Sequence, residues 1–191
     1  VPEVLVPDVR AAMAPVAARF HGDPTSRLAM AGITGTNGKT TTAFLLRSLL
    51  EATGTRSGLL GTVDQVAGGV SVPAVRTTPE AIDLQALFAQ MVDGGDAACV
   101  MEVSSHALEL HRADAIHWAV AVFTNLTQDH LDFHPTMAEY FAAKARLFPN
   151  RPVLGTFLVM FAIINVAYFA YGAWFAAIKA RLATDPAWYS T

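Results

Sequence analysis

The residues best suited to chemistry in this chain form the glycine-rich stretch TGTNGKTT at positions 34–41. An apolar run that predicts a strand precedes it, and a run that predicts a helix follows. Glycines let backbone N–H groups turn toward phosphate oxygens, and the start of a helix adds the positive end of its dipole. In such a loop the Lys39 ammonium reaches the β- and γ-phosphates of ATP, and the Thr40 hydroxyl binds Mg²⁺. The predicted nucleotide-binding residues are Gly35, Thr36, Asn37, Gly38, Lys39, Thr40 and Thr41.

This loop departs from the general phosphate-loop pattern at one position. Ile33 stands where the pattern has a glycine, five residues before Gly38. The alternative interpretation is a glycine-rich turn with an incidental lysine. The strand–loop–helix context that the motif requires is present, and it favours the nucleotide site.

Acidic and hydroxyl side chains occur where other predicted elements begin or end. Glu102 lies at the end of an apolar strand, where its carboxylate can hold Mg²⁺ because hard cations prefer oxygen ligands. Strand alternation puts Glu102 and Ser104 on the same face. Thr77 and Thr78 precede a predicted helix, and hydroxyl groups there suit a bound phosphate or sugar, a helix cap, or both.

Two histidines are candidates for function. A lone histidine is usually structural, and His130 is a candidate because Asp129 and Asp132 lie within two residues of it. His106 stands at a predicted helix start, where a packing role and a functional role are equally open.

Lys144 lies on an otherwise apolar face of the last predicted helix. It shares that face with Met137, Phe141 and Phe148 at spacings of four, three and four residues. A buried lysine favours its neutral form, and a neutral amine can react with carbon dioxide to give an anionic carbamate. The alternative is a lysine whose stem packs while its ammonium reaches water, and spacing alone favours this alternative.

Apolar runs separated by polar turns predict an α/β fold. Strands alternating with helices imply a P-loop-containing, mainly parallel sheet with helices on both faces, in which ligands bind at the carboxyl ends of the strands. Pro79 is expected at the first position of a helix, and Thr136 with Glu139 is expected to cap another. The predicted strands are 28–33, 58–63, 97–103 and 118–123, and the predicted helices are 39–52, a helix from Pro79 to Gly94, and one after Thr136.

Composition bounds the partners and divides the chain. The formal net charge of the 191 residues is −3, which argues against the basic surface that is typical of nucleic-acid-binding proteins. The single cysteine, Cys99, sits in an apolar run and is interpreted as a buried hydrophobic residue.

Residues 153–178 contain no charged residue or histidine, and we expect an apolar C-terminal helix there that could span a membrane. The alternative is a hydrophobic core helix. No signal peptide is visible, and a first residue other than Met indicates a fragment or a processed chain.

Several of these strings together resemble one enzyme family. TGTNGKTT resembles the phosphate loop of Mur ligases and of their folylpolyglutamate and cyanophycin synthetase relatives. The strings RTTP at 76–79, EVSSHAL at 102–108, NLTQDHLD at 125–132 and YFAAK at 140–144 are also similar to Mur ligase motifs. EVSSHAL resembles most the branch that adds the third residue of the peptidoglycan stem peptide. The resemblance implies that residues 29–150 are an ATP-binding middle domain and 1–28 the tail of a preceding domain, and that 151–191 are unrelated to the family.

The resemblance also implies roles for individual residues. The substrates would be ATP, UDP-N-acetylmuramoyl-L-Ala-D-Glu and an amino acid, either diaminopimelate or lysine, joined in the cytoplasm through an acyl phosphate. Leu110 stands where some members have a glutamine, which removes one expected substrate contact. The implied catalytic residues are Lys39, Lys144 and His130. The implied substrate contacts are Thr77, Thr78, Ser104 and Arg112. The implied Mg²⁺ ligands are Thr40, Glu102, His130 and a carbamylated Lys144.

Two alternatives to this function stay open at the level of sequence. One is a folylpolyglutamate-type ligase, against which the EVSSHAL string weighs. The other is a truncated or fused ATP-binding remnant without ligase activity, because the family's flanking domains are not recognisable in the chain.

Overall fold

The computed structural model describes residues 3–148 of the chain. The strands are β1 (Ala29–Thr34), β2 (Ser57–Leu60), β3 (Asp64–Ala67), β4 (Val70–Pro73), β5 (Ala98–Glu102) and β6 (Trp118–Phe123). The helices are α1 (Val9–Phe20), α2 (Lys39–Ala52), α3 (Ala81–Asp93), α4 (Ser105–Glu109) and α5 (Met137–Ala145), with a short 3-10 helix at Pro24–Arg27.

The six strands form one mostly parallel sheet in the order β4-β3-β2-β5-β1-β6. β2, β5, β1 and β6 run parallel, as the alternation of strands and helices predicts. β3 and β4 are antiparallel additions to the β2 edge that the sequence analysis missed. The signal for this hairpin in the sequence was the pair Gly68-Gly69, which is typical of a two-residue hairpin turn. In the structure both glycines have positive φ, as such a turn requires.

Helices cover both faces of the sheet. On one face, Ala43 of α2 packs in a cluster with Ile33, Leu59 and Val100. Gly58 alternates with Leu59 and points to the other face, where a β-carbon would collide with Met91 of α3. The predicted arrangement is therefore confirmed for the described residues. It leaves the carboxyl ends of β1, β2 and β5 together at one edge.

Most element boundaries follow the sequence, with one clear error. α2 and β6 occupy the predicted ranges. The prediction that Pro79 begins a helix is wrong, because Glu80 keeps an extended backbone (φ −69°, ψ 158°) and α3 begins at Ala81. The Thr136 half of the predicted capping box of α5 is confirmed, since the Thr136 hydroxyl accepts a hydrogen bond from the Glu139 backbone N–H at 3.2 Å.

Two expectations from composition have different outcomes. Cys99 is fully buried, and burial raises the pKa of its thiol, so its interpretation as a core residue is confirmed. The apolar segment 153–178 lies outside the described residues. Within residues 3–148, no helix is long and apolar enough to cross a membrane.

Removing the cap of α5 should destabilise the fold measurably. Thr136→Ala removes the acceptor for the Glu139 N–H, which should lower the free energy of unfolding by about 1 kcal/mol. Thr136→Ser keeps the hydroxyl and should lose less than half as much. Urea denaturation of both variants checks this, and equal losses would contradict the role of the hydroxyl.

Candidate functional site

The strand ends and the loops that follow them enclose a cleft of about 550 Å³. The cleft contains most of the side chains that the sequence singles out, from five separate segments of the chain. Gly35, Thr41 and Lys144 are predicted site residues that do not line it. The lining residues are Thr36, Asn37, Gly38, Lys39, Thr40, Thr62, Arg76, Thr77, Thr78, Glu102, Ser104, His106, Arg112 and His130.

The phosphate loop depends on two glycines and on the segment after β6. Gly35 (φ 141°) and Gly38 (φ 83°) adopt backbone conformations that favour glycine. A β-carbon on Gly35 would also collide with the Thr124 hydroxyl and the Asn125 backbone. The Thr124 hydroxyl donates to the Asn37 carbonyl at 2.7 Å, and the Asn37 N–H donates to Asn125 Oδ1 at 3.0 Å. The loop is therefore held from outside as well as by its own sequence.

Lys39 folds back over this loop. Its Nζ donates to the carbonyl oxygens of Gly35 and Thr36, each at 2.9 Å. Burial lowers the Lys39 pKa, while the charges of Glu102 and Asp129 oppose that shift. The ammonium therefore lies at the loop, among groups that a polyphosphate can contact.

Glu102 is the buried acid of the cleft, with 1% of its surface exposed. One carboxylate oxygen accepts a hydrogen bond from the Thr40 hydroxyl at 3.0 Å, and the other accepts from the Thr62 backbone N–H at 3.0 Å. Gly61 leaves room for this carboxylate, because a side chain there would collide with it. A carboxylate beside hydroxyl oxygens is the kind of ligand set that Mg²⁺ accepts. Residues 3–148 contain no cluster of three or more His, Cys, Asp or Glu side chains arranged for a metal ion.

Thr62 is a cleft residue that the sequence analysis missed. Its hydroxyl donates to Glu102 at 3.2 Å and lies 3.1 Å from the Thr77 hydroxyl, so it connects the acid to the predicted substrate contacts. Its position two residues after β2, between Gly61 and Val63, was the available signal.

The predicted substrate contacts already have partners within the fold. Thr78 is 2% exposed, and its hydroxyl donates to the Glu102 carbonyl and accepts from the Ser104 N–H. The Ser104 hydroxyl caps α4 by accepting from the Ala107 N–H at 3.1 Å. Arg112 lies in the cleft wall, where one Nη is 2.9 Å from a Glu80 carboxylate oxygen. These residues meet at the cleft, and contact with a substrate stays a prediction.

His130 and His106 are neighbours at the rim of the cleft. Their ring centroids are 4.9 Å apart, and His130 has a positive φ of 53°. His106 also stacks against Phe133 at 4.1 Å, which supports a packing role. Burial, followed by the nearby His130 and His134, lowers the pKa of His106. His106 therefore packs while one side faces the cleft.

Lys144 is buried beneath the phosphate loop, with 1% of its surface exposed. Its Nζ donates to the Gly35 carbonyl at 2.9 Å and lies 4.4 Å from the centre of the Tyr140 ring. The alternative in which its ammonium reaches water is therefore wrong. Burial, together with the charge of Lys39, lowers the Lys144 pKa to about 7. An appreciable fraction of this amine is neutral at physiological pH.

Comparison with known proteins places this site in a family context. The sequence profile of the Mur ligase middle domain matches residues 33–183. The match continues past Phe148, so a boundary at residue 150 stays a prediction.

Ligases from several bacteria are similar in sequence to this chain. UDP-N-acetylmuramoyl-L-alanyl-D-glutamate--2,6-diaminopimelate ligase from Caldanaerobacter subterraneus subsp. tengcongensis is 52% identical over 76% of this chain and 30% of its own length. The enzyme of that name from Geobacillus thermodenitrificans is 55% identical over 78% of this chain and 30% of its own. The chain therefore spans about 30% of the length of these relatives.

Solved structures agree on the fold. A UDP-N-acetylmuramoyl-L-alanyl-D-glutamate--2,6-diaminopimelate ligase structure superposes with a TM-score of 0.65, at 31% identity over 76% of this chain and 30% of its own. A Mycobacterium tuberculosis folylpolyglutamate synthase superposes with a TM-score of 0.59 at 18% identity, over 81% of this chain and 45% of its own, which shows a shared fold alone. Because the family profile covers well over half of its residues, the chain belongs to the Mur ligase family and contains the family's middle domain.

Proposed function

We propose that this chain is the ATP-binding core of a ligase that adds the third amino acid to UDP-N-acetylmuramoyl-L-Ala-D-Glu. The observation that carries the proposal is the single cleft in which the phosphate loop, Thr77, Glu102, Ser104 and Arg112 meet. Relatives over 50% identical bear the name of the diaminopimelate ligase, so diaminopimelate is the amino acid we propose. The ligation belongs to the whole protein, and nucleotide binding to the part described here.

ATP fits the loop through its backbone and one cation. The N–H groups at the start of α2 and the Lys39 ammonium supply positive potential for the phosphates. Glu102 and Thr40 would hold Mg²⁺, which when bound neutralises charge on the phosphate oxygens. We propose two further Mg²⁺ ligands. They are His130 at the rim of the cleft, for a second ion, and the carbamate form of Lys144.

The proposed reaction uses the chain mainly for positioning. The side-chain carboxylate of D-Glu attacks the γ-phosphorus of ATP, and the bond from that phosphorus to the bridging β-phosphate oxygen breaks. The products of this step are an acyl phosphate and ADP. The amine of the incoming amino acid then attacks the acyl carbon and expels phosphate. Lys39 stabilises charge on the transferring group, while Arg112 and Ser104 orient the muramyl dipeptide.

Lys144 supports the proposed carbamate through its burial and its lowered pKa. A neutral amine forms an N–C bond with carbon dioxide and releases one proton to solvent, which leaves an anionic carbamate. The change converts a buried cation beside the Lys39 cation into an anion, and this relieves the repulsion between the two lysines.

Nucleotide binding tests the proposed site directly. Lys39→Met should weaken ATP binding in the presence of Mg²⁺ by at least about tenfold, because the charge at the loop is lost. Arg19→Met is the matched control, since Arg19 is exposed on α1 away from the cleft, and it should change the Kd by less than about twofold. Isothermal titration calorimetry gives both constants. Equal affinities in wild type and Lys39→Met would reject the site.

The carbamate has a spectroscopic test that does not depend on activity. After equilibration with ¹³C-bicarbonate, the wild-type chain should show a ¹³C carbamate resonance, and Lys144→Met should lack it. Lys179→Met is the control, because it removes a lysine that is not among the predicted site residues and should keep the resonance. A wild-type spectrum without this resonance would rule out the modification under these conditions.

The buried amine also predicts a pH dependence of stability. The Lys144 pKa falls from 10.5 to about 7, so between these values the unfolded chain binds a proton that the folded chain does not. The penalty is complete below pH 7 and is relieved as pH rises toward 10.5. In buffer free of carbon dioxide, wild-type stability should rise from pH 7 to 9, and Lys144→Met should reduce that slope by about 1 kcal/mol per pH unit. Urea unfolding at pH 7, 8 and 9 measures it, and identical slopes would contradict the assignment.

A further inference from the structure

Glu80 has no assigned role, yet among the described residues three arginines converge on its carboxylate. Arg76 Nη1 lies 2.6 Å from Oε1, Arg112 Nη2 lies 2.9 Å from the same oxygen, and Arg10 Nη1 lies 3.7 Å from Oε2. The three arginines come from different parts of the chain: α1, the segment before α3, and the segment after α4. One carboxylate therefore ties these parts together.

The placement of Glu80 differs from that of its partners. Arg76 and Arg112 line the cleft, whereas Glu80 does not. Glu80 is the residue before α3, with an extended backbone that keeps it outside the helix. Its carboxylate therefore contacts the two cleft arginines without itself lining the cleft.

Arg112 depends on Glu80 more than the other two arginines do. Its side chain is 16% exposed, against 51% for Arg10 and 56% for Arg76, so water contributes least to its solvation. Its second Nη donates only a long hydrogen bond, 3.5 Å, to the Thr78 carbonyl. Its buried Nε has no hydrogen-bond partner within residues 3–148. The ion pair with Glu80 is the short contact that fixes this guanidinium.

The charges in this cluster do not cancel. A single carboxylate shared by three guanidinium groups leaves a net positive charge, and the two arginines that carry it toward the cleft are Arg76 and Arg112. Paired guanidinium groups held in one place suit a carboxylate or a phosphate oxygen. Arg76 was not among the predicted substrate contacts.

We infer that Glu80 is a positioning residue that holds Arg112 and Arg76 in the cleft wall as a paired site for an anionic group of the muramyl-peptide substrate. The inference rests on the proposed function and adds Arg76 to its binding residues. If Glu80 orients the two arginines for the substrate, neutralising its carboxylate should weaken substrate binding. If Glu80 only competed with the substrate for the arginines, neutralising it would strengthen binding.

The test is a double-mutant cycle on the full chain, with UDP-N-acetylmuramoyl-L-Ala-D-Glu and ATP each titrated separately. Glu80→Gln should weaken binding of the muramyl dipeptide about tenfold and leave ATP binding within about twofold. In an Arg112→Ala background the same substitution should weaken dipeptide binding less than it does in the wild-type background, because only Arg76 is left for Glu80 to position. Glu80→Asp keeps the charge and should restore part of the affinity. Arg10→Gln removes the most distant partner and serves as the control, with no expected change.

The outcomes separate the inference from the proposed function. Unchanged or tighter dipeptide binding by Glu80→Gln, with normal ATP binding, overturns the inference alone. An equal loss in the wild-type and Arg112→Ala backgrounds also overturns it, because Glu80 would then act without Arg112. A wild-type chain that binds neither ATP nor the dipeptide overturns the proposed function. If Glu80→Gln does not fold, Glu80→Asp and the Arg76→Gln variant decide, since each should weaken dipeptide binding while ATP binding stays normal.

Discussion

The carbonyl oxygen of Gly35 accepts hydrogen bonds from two lysines, and much of the site depends on this contact. Lys39 reaches it from the start of α2 and Lys144 from α5, each at 2.9 Å. Burial lowers the pKa of both amines, and the nearby charge of Lys39 lowers the pKa of Lys144 further. The hydrogen bond from Lys144 to the Gly35 carbonyl joins the phosphate loop to α5. The neutral amine is the form of Lys144 that this lowered pKa favours.

The parallel register of the sheet brings the remaining groups to this loop. Ile33 of β1 pairs with Glu102 of β5, and Leu60 of β2 pairs with Met101, so these strands end at nearly the same level. The residues that follow the strands therefore meet across one edge. The Thr62 N–H and the Thr40 hydroxyl each donate to one oxygen of the Glu102 carboxylate, so both oxygens of this buried acid have hydrogen-bond partners, and the Thr78 hydroxyl donates to the Glu102 backbone carbonyl.

The sequence predicted those features whose cause is local or periodic. The range of α2, the cap at Thr136 and the loop conformation at Gly38 follow from residue types that are adjacent in the chain. The error at Pro79 and the missed role of Thr62 have a different origin. Glu80 keeps an extended backbone and contacts three arginines, and Thr62 bonds to an acid 40 residues away. Contacts of that kind exist only once the sheet has formed, so no periodicity in the sequence reports them.

The attachment of the loop to Thr124 and Asn125 has a consequence for the order of assembly. The bonds that shape the loop join residues 87 to 91 positions apart. During synthesis, all the residues of the loop are present long before β6 emerges, but Thr124 and Asn125, which anchor the loop, are not. The loop can form these bonds only when β6 has paired with β1 and the segment after it is in place. The shape of the loop that we propose to bind nucleotide is thus a property of the assembled sheet and not of the loop sequence alone.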